Sequence, residues 1–274
     1  MTKSVIKWVG GKRQLLATIL DAKLPPVIHN FYEPFGGSLT VSLYVIQNRT
    51  VTGTIYVSDI NNKLVTMYNH VKTVPELVIQ KMQEFVGLDD YYTCRAMFND
   101  SVNHGTVTQS ALFLILNKTG FNGLYRVNKK GQYNVPIGRN TVNWDNQFDC
   151  IRELSNVLNK TNIVIEALGY DIFFKKYQPG NTGDVVYADP PYWDTFCAYD
   201  GHGFSKNDQE QLCKYLTKVN ATVIASNSNT DFIKDLYTGA GFDVEVVNAA
   251  RYINRDGTRR GKQPVEVVMT KNKK

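Results

Sequence analysis

Residues 184 to 196 read DVVYADPPYWDTF, four apolar or aromatic residues running straight into an acid, two prolines and a tyrosine. Adjacent prolines lack amide donors and fix their own φ angles, so the chain has to leave a sheet there along a stiff, extended path. A stiff exit holds an acid still. The chemistry this suits begins from an exocyclic amine on a nucleobase, whose lone pair is delocalised into the ring and therefore attacks poorly. A carboxylate from Asp189 and the carbonyl of Pro190, held in one plane, accept both N–H bonds and stabilise the positive charge that develops as the nitrogen attacks. The ring of Pro191 fixes the direction of that carbonyl, and Tyr192 offers a face on which a flat base stacks. An ordinary strand end with a proline turn leaves the acid and the aromatic unexplained.

Three further motifs precede it. KWVGGKRQ, residues 7 to 14, invites a phosphate-loop reading, but that loop needs a glycine and a hydroxyl residue where Ile6 and Arg13 stand, and it is rejected. YEPFGGS, residues 32 to 38, sets two glycines directly after a strand and before a helix. They serve either a tight turn or the approach of a cofactor to bare backbone at the carboxyl end of a sheet. SDIN, residues 58 to 61, ends a second strand in an acid, either a ribose-binding position or a helix N-cap.

The elements that must position these residues follow from the pattern of apolar runs. Strands are expected at 31–35, 54–60, 162–168, 184–189, 221–227, 242–247 and 265–270, nearly all of them continuous apolar segments suited to a sheet covered on both faces. A helix is expected from Ser205, with Asp208 completing a capping box and Leu212, Tyr215, Leu216 and Val219 on one face. This alternation gives a doubly wound α/β domain. From about Asn62 to Gln147 the strand runs give way to apolar residues at helical spacing, then to GLYRV and QYNVP around NKKG, a hairpin with a basic tip. The expected division is a catalytic domain of 1–61 and 148–274, interrupted at 62–147 by a helical insertion.

The 274 residues, 43% of them hydrophobic, can fill a sizeable core. Neither a membrane-length apolar run nor the apolar stretch of a signal peptide occurs, so a cytoplasmic protein is expected. Four scattered cysteines and four dispersed histidines give no metal-ligand spacing and no disulfide framework. The net charge of +6 is concentrated: residues 118–139 carry a local +5 and residues 251–263 a local +4, leaving the remainder slightly acidic. Two basic loops of this kind point to nucleic acid rather than to a uniformly solvated surface.

Taken together, KWVGGK, EPFGGS, SDIN, LNKTGFNGLYRVNKKGQYNVPIGR, VVYADPPY and GTRRGK, in that order, resemble a Dam-type DNA adenine-N6 methyltransferase across nearly the whole chain. The resemblance implies a Rossmann-like methyltransferase sheet with one late antiparallel strand, interrupted by a DNA-recognition insertion. It implies S-adenosylmethionine as methyl donor and S-adenosylhomocysteine as product. The donor would meet Trp8, Gly10, Gly11, Lys12, Glu33, Pro34, Phe35, Gly36, Gly37, Ser38, Asp59, Ile60 and Asp189, with Asp171 bordering the pocket. The reaction would be a direct displacement at an adenine flipped out of duplex DNA, without a metal and with the protein acting as a monomer. For DNA it implies Lys7, Phe121, Asn122, Gly123, Leu124, Arg126, Asn134, Pro136 and Arg139, and a phosphate clamp with Arg259, Arg260 and Lys262. Arginine and lysine suit guanine and leucine suits a thymine methyl, consistent with a G-A-T-C target. Taken alone, Leu124 equally fits hairpin packing and Arg126 a phosphate contact. The expected cytoplasm would be that of a bacterium, or of the host cell if the gene is viral.

Two departures concern base replacement in the stack: Asn140 stands where the family has an aromatic, and Phe121 where tyrosine is more usual. Rival readings are an enzyme acting on cytosine N4, RNA or a protein amide, and a DNA-binding module with dead transfer machinery. The first set usually carries serine or asparagine in place of Asp189, and the second should show decayed cofactor motifs.

Overall fold

The computed structural model describes residues 2–10, 12, 16, 20–87, 90–139, 141–193, 203–248 and 265–272. Gly11, Arg259, Arg260 and Lys262, with the expected GTRRGK clamp, lie outside the described residues.

All seven expected strands form and pair in one sheet. They are β1 (Phe31–Glu33), β2 (Ile55–Ser58), β3 (Ile163–Glu166), β4 (Val185–Ala188), β5 (Thr222–Ser228), β6 (Asp243–Asn248) and β7 (Val265–Lys271). Their spatial order is β3-β2-β1-β4-β5-β7-β6. Every neighbouring pair is parallel except those made by β7, which runs antiparallel to both β5 and β6. This is the mixed α/β sheet with a late antiparallel strand that the motifs imply. Strands β1 and β4 are buried along their whole length, as continuous apolar runs in a doubly covered sheet must be.

Alternate residues supply two cores. Phe31, Ile55, Val185, Tyr187 and Ile224 face one cluster, while Tyr32, Val186, Ala188, Val223 and Ala225 face another. The second is covered by α7 (Tyr170–Tyr177), α8 (Lys206–Lys218) and α9 (Asp231–Gly239), through residues such as Phe173, Leu212 and Ile233. Helix α8 begins as expected, with Ser205 and Asp208 forming the reciprocal capping box.

The first core continues into the expected insertion. Between β2 and β3 run α2 (Asn62–Thr73), α3 (Pro75–Val86), α4 (Tyr91–Asn99), α5 (Val107–Thr119) and α6 (Trp144–Asn159), while α1 (Thr40–Asn48) follows β1. Helix α5 is buried from Gln109 to Asn117 without interruption, so it is the central helix around which its neighbours pack. Its polar residues find partners: Ser110 with His70 Nδ1 at 2.8 Å, and Gln109 Nε2 donating to Phe98 O. Helix α2 is tied to the sheet edge by Lys72 Nζ on Ile163 O at 2.8 Å and Asn69 Nδ2 on Ile165 O at 3.2 Å. Leu64, Leu112 and Ile151 therefore share one apolar cluster with Phe31 and Ile55.

The expected hairpin joins at two single antiparallel bridges, Gly120 with Ile137 and Val127 with Tyr133, rather than along a continuous ladder. Pro136 has no amide to give a ladder, and the turn at Phe121–Gly123 places Asn122 and Gly123 at φ of 55° and 64°. Among the described residues no helix is long and apolar enough to cross a membrane.

Candidate active site

The carboxyl ends of β1, β2 and β4 bring three acids to one edge of the sheet. Glu33 closes β1 and is 2% exposed; its Oε2 accepts the amide of Ser42 at 3.1 Å and the Ser42 hydroxyl. Burial pushes this carboxyl up to about 8, and the nearby charges of Asp189 and Asp59 add to the rise. Asp59 follows β2 and accepts the amides of Gly37 at 3.0 Å and Asn61 at 2.9 Å. The helix-capping role open to Asp59 belongs instead to Asn61, whose side chain accepts from Leu64 at the start of α2. Asp59 thus ties the end of β2 to the turn after β1.

That turn explains its own glycines. A Cβ on Gly36 would stand 2.4 Å from Val57 Cγ1, and Gly37 sits at φ +45° with Trp8 Cδ1 3.0 Å from where its Cβ would go. Protein atoms fill both positions, so close packing requires these glycines before any ligand is considered. Pro34 and Gly36 bond to Ser58, Ser38 pairs with Thr40 at 2.7 Å, and the buried Tyr68 donates to Gly37 O. Trp8 stacks on Phe113 of α5, and Phe35 stacks on Tyr170 and meets Phe204 edge-on. Ile60 projects at 68% exposure beside Asp59. Asp171, in the first turn of α7, is bound in an exposed pair with Lys175 at 3.3 Å.

The elbow after β4 meets the N-terminal motif. Lys12, 6% exposed, places Nζ 2.9 Å from Asp189 Oδ2, 2.9 Å from Gly10 O, and 4.6 Å from the centroid of the Tyr192 ring. Burial drives the Asp189 carboxyl upward against the pull of Lys12. The same burial drives the Tyr192 hydroxyl far above its ordinary range, so it remains a donor. Among the described residues no donor meets the Pro190 carbonyl, whereas that of Pro191 accepts from Gln209 Nε2 at 2.9 Å.

A cradle behind the elbow was missed in the sequence. Three consecutive residues at the end of β5 each hold it: Ser226 Oγ donates to Asp189 Oδ1 at 2.8 Å, Asn227 Oδ1 accepts the Trp193 amide at 3.0 Å, and Ser228 Oγ donates to Trp193 O at 2.6 Å. Asn227 also donates to the Oε1 of Gln209, so α8 and β5 are locked together beneath the elbow. On β7, Glu266 accepts the Tyr192 hydroxyl at 2.8 Å. A signal was present, since a strand otherwise apolar ends in Ser-Asn-Ser. Buried polar residues need partners.

On the other side of Trp8, the N-terminal segment is joined to the basic loop. Asn117 accepts the amide of Lys7 at 2.8 Å and donates to the carbonyls of Lys7 and Gly123. Gly123 is required here, because a Cβ would fall 2.5 Å from Lys7 Cβ. Phe121 is 47% exposed and held by its amide on Pro136 O. Leu124 is half-buried against the first core, and its carbonyl accepts from Tyr133. Arg126 is exposed, with Nε on Asn134 Oδ1 at 2.7 Å and Nη2 on Asn134 O. Asn122 and Arg139 are exposed as well. Among the described residues none of Lys7, Arg126, Lys129, Lys130 and Arg139 is paired with a carboxylate. Their charge is uncompensated on one loop system.

A family model described as D12 class N6 adenine-specific DNA methyltransferase matches residues 8–253. The chain is 36% identical to the type II methyltransferase M.MjaIII of Methanocaldococcus jannaschii, over 94% of its own length and 95% of that protein. It is 31% identical to the type II methyltransferase M1.LlaDCHI of Lactococcus lactis, with 96% and 93% covered, and 31% identical to a DNA adenine methylase of Vibrio cholerae, with 95% and 93% covered.

Proposed function

Because the chain belongs to the D12 class of N6 adenine-specific DNA methyltransferases, we propose that it moves a methyl group from S-adenosylmethionine to the N6 of an adenine flipped out of duplex DNA, within a GATC site. The observation that carries this reading is Lys12 Nζ. A nitrogen donor already stands 2.9 Å from Asp189 Oδ2 and over the Tyr192 face, the two partners that the target amine needs. The incoming base displaces it, giving one N–H to Asp189 and the other to the Pro190 carbonyl. Ser226 fixes the remaining oxygen of Asp189, so the carboxylate does not rotate away as charge develops on nitrogen. A paired base cannot enter so confined a place, which is why flipping is required.

The residues fit the donor. When bound, S-adenosylmethionine supplies an electrophilic methyl on a sulfonium. Glu33 is a buried acid that, among the described residues, faces no cation, and it suits the positive end of the donor. Asp59 accepts from the ribose hydroxyls; Ile60 and Phe35 offer apolar cover for the adenine ring. By the same resemblance Trp8, Gly10 and the turn Pro34 to Ser38 would border the donor, with Asp171 at its edge.

For target choice, Lys7, Leu124, Arg126 and Pro136 face the bases, with Phe121 filling the gap left in the stack and Asn122, Gly123, Asn134 and Arg139 shaping the loop. Arg126 is supported by its two bonds to Asn134, through Nε and Nη2, and among the described residues none bonds Nη1. Arg126→Ala is expected to narrow the gap between GATC and single-mismatch duplexes by about 1–3 kcal/mol, measured as the ratio of kcat/KM values. A uniform loss on every duplex would make the contact a phosphate contact instead. The whole reading is tested by incubating the protein with labelled S-adenosylmethionine and unmodified genomic DNA and mapping the modified bases. Label in adenine N6 at GATC is expected. Label at cytosine, or none in DNA, would overturn the assignment.

A further inference from the structure

We propose that Glu266 is a positioning residue for methyl transfer, acting through the Tyr192 hydroxyl to fix the plane of the ring and enrich its face. The proposal rests on the adenine-pocket reading above and deepens it.

Glu266 lies inside the sheet, opposite Ser228 of β5 and Val247 of β6, and is 6% exposed. A carboxylate at such a position is destabilising unless it is well partnered. Its Oε2 accepts the Tyr192 O–H at 2.8 Å, so the far end of the ring is anchored to a strand while its near end leaves the elbow. Rotation about the Cβ–ring bond is otherwise soft. The anchor matters because of what the ring faces. Lys12 Nζ stands 4.6 Å from its centroid, so the face already receives a cation.

A phenol whose proton leans toward a carboxylate carries more electron density in its ring. The face then attracts positive charge more strongly. In the resting complex the target adenine is neutral, and it acquires charge only as N6 attacks. An interaction strengthened in that way acts on the transition state more than on binding. It should appear in the rate of transfer and not in affinity.

The test is a set of four proteins: wild type, Glu266→Gln, Tyr192→Phe and the double variant. Each is assayed for single-turnover methylation at saturating DNA and S-adenosylmethionine, for DNA affinity, and for melting temperature. Glu266→Gln and Tyr192→Phe are each expected to slow transfer about tenfold with DNA affinity nearly unchanged; the melting temperature should hold in Glu266→Gln, which keeps an acceptor for the hydroxyl, and fall in Tyr192→Phe, which takes that hydroxyl from the buried carboxylate. The double variant is expected to be no slower than Tyr192→Phe, since the proposal routes the effect of the carboxylate on transfer through the hydroxyl. Should Glu266→Gln fold poorly, Glu266→Asp carries the comparison, because it keeps the charge. A wild-type rate in Glu266→Gln overturns the proposal, as does an equal loss on top of Tyr192→Phe or a loss confined to DNA affinity. A wild-type protein that leaves adenine unmodified overturns it too, but by removing the reading beneath it.

Discussion

Asp189→Asn is expected to slow single-turnover transfer by roughly 10²–10³-fold, the loss typical of removing one group aimed at developing charge, and to lower the melting temperature, because Lys12 loses its counter-charge. The two oxygens of Asp189 have different duties. Oδ1 takes the hydroxyl of Ser226, and Oδ2 takes Lys12 and, in the proposed reaction, the target amine. Asparagine can keep its oxygen toward Ser226 and its shape in the pocket, but it then presents an N–H₂ where an acceptor is needed. Alanine is the harsher and less informative change. Like asparagine it leaves the Lys12 ammonium, 6% exposed, with Gly10 O and without its counter-charge, a change destabilising by about 3–5 kcal/mol, and it also takes away the acceptor of Ser226 and opens a void. Loss of activity in Asp189→Ala could then come from a shifted N-terminal segment. A turnover by Asp189→Asn within about threefold of wild type would remove the carboxylate from the chemistry.

The parts of the fold that were legible in the sequence are those whose cause is local. Near-continuous apolar runs mark the inner strands, such as β1 and β4, because these need cover on both faces, and Ser205 with Asp208 marks α8 because a capping box is satisfied within four residues. The elbow was legible for the same reason: two prolines stiffen a chain wherever they stand. Its cradle was not. Ser226, Asn227, Ser228, Gln209 and Glu266 acquire their roles only once β7 inserts beside β5 and α8 docks behind it, which brings residue 266 against residue 192. The glycines of the β1 turn were legible as special but not in their reason, since the atoms filling their Cβ positions belong to Val57 and Trp8. The basic loop shows another limit. Its charge was evident, yet the hairpin period failed to forecast single bridges, because Pro136 and the turn at Asn122 and Gly123 interrupt any ladder. The individual residues proposed to face the bases came from family resemblance, since an exposed Arg126 or a half-buried Leu124 carries no local mark of its partner.

Glu33→Gln is expected to weaken S-adenosylmethionine binding about 10–100-fold near pH 8 and, in the absence of ligand at higher pH, to raise the melting temperature. Both effects have one origin. Burial pushes the Glu33 carboxyl from 4.5 to about 8, with the charges of Asp189 and Asp59 adding to it, so near neutral pH the empty protein holds this group mostly protonated. A cation placed beside it favours the ionised form, and binding must expel a proton below that value. Affinity in the wild type should therefore rise with pH until about 8, and calorimetry in buffers of different ionisation enthalpy should register the proton released. Stability runs the other way. A carboxyl whose folded pKa is raised stabilises the folded state most when protonated, so stability is fullest below about 4.5 and declines as pH rises toward 8. The shift sets a ceiling on that decline of roughly 5 kcal/mol, and glutamine, which cannot ionise, escapes it while still accepting from Ser42. Saturating ligand should reverse the order of the two melting temperatures. If wild-type affinity stays flat between about pH 6 and 8, or if Glu33→Gln binds the donor as tightly as wild type, Glu33 does not face the donor's positive charge and the buried acid needs another explanation.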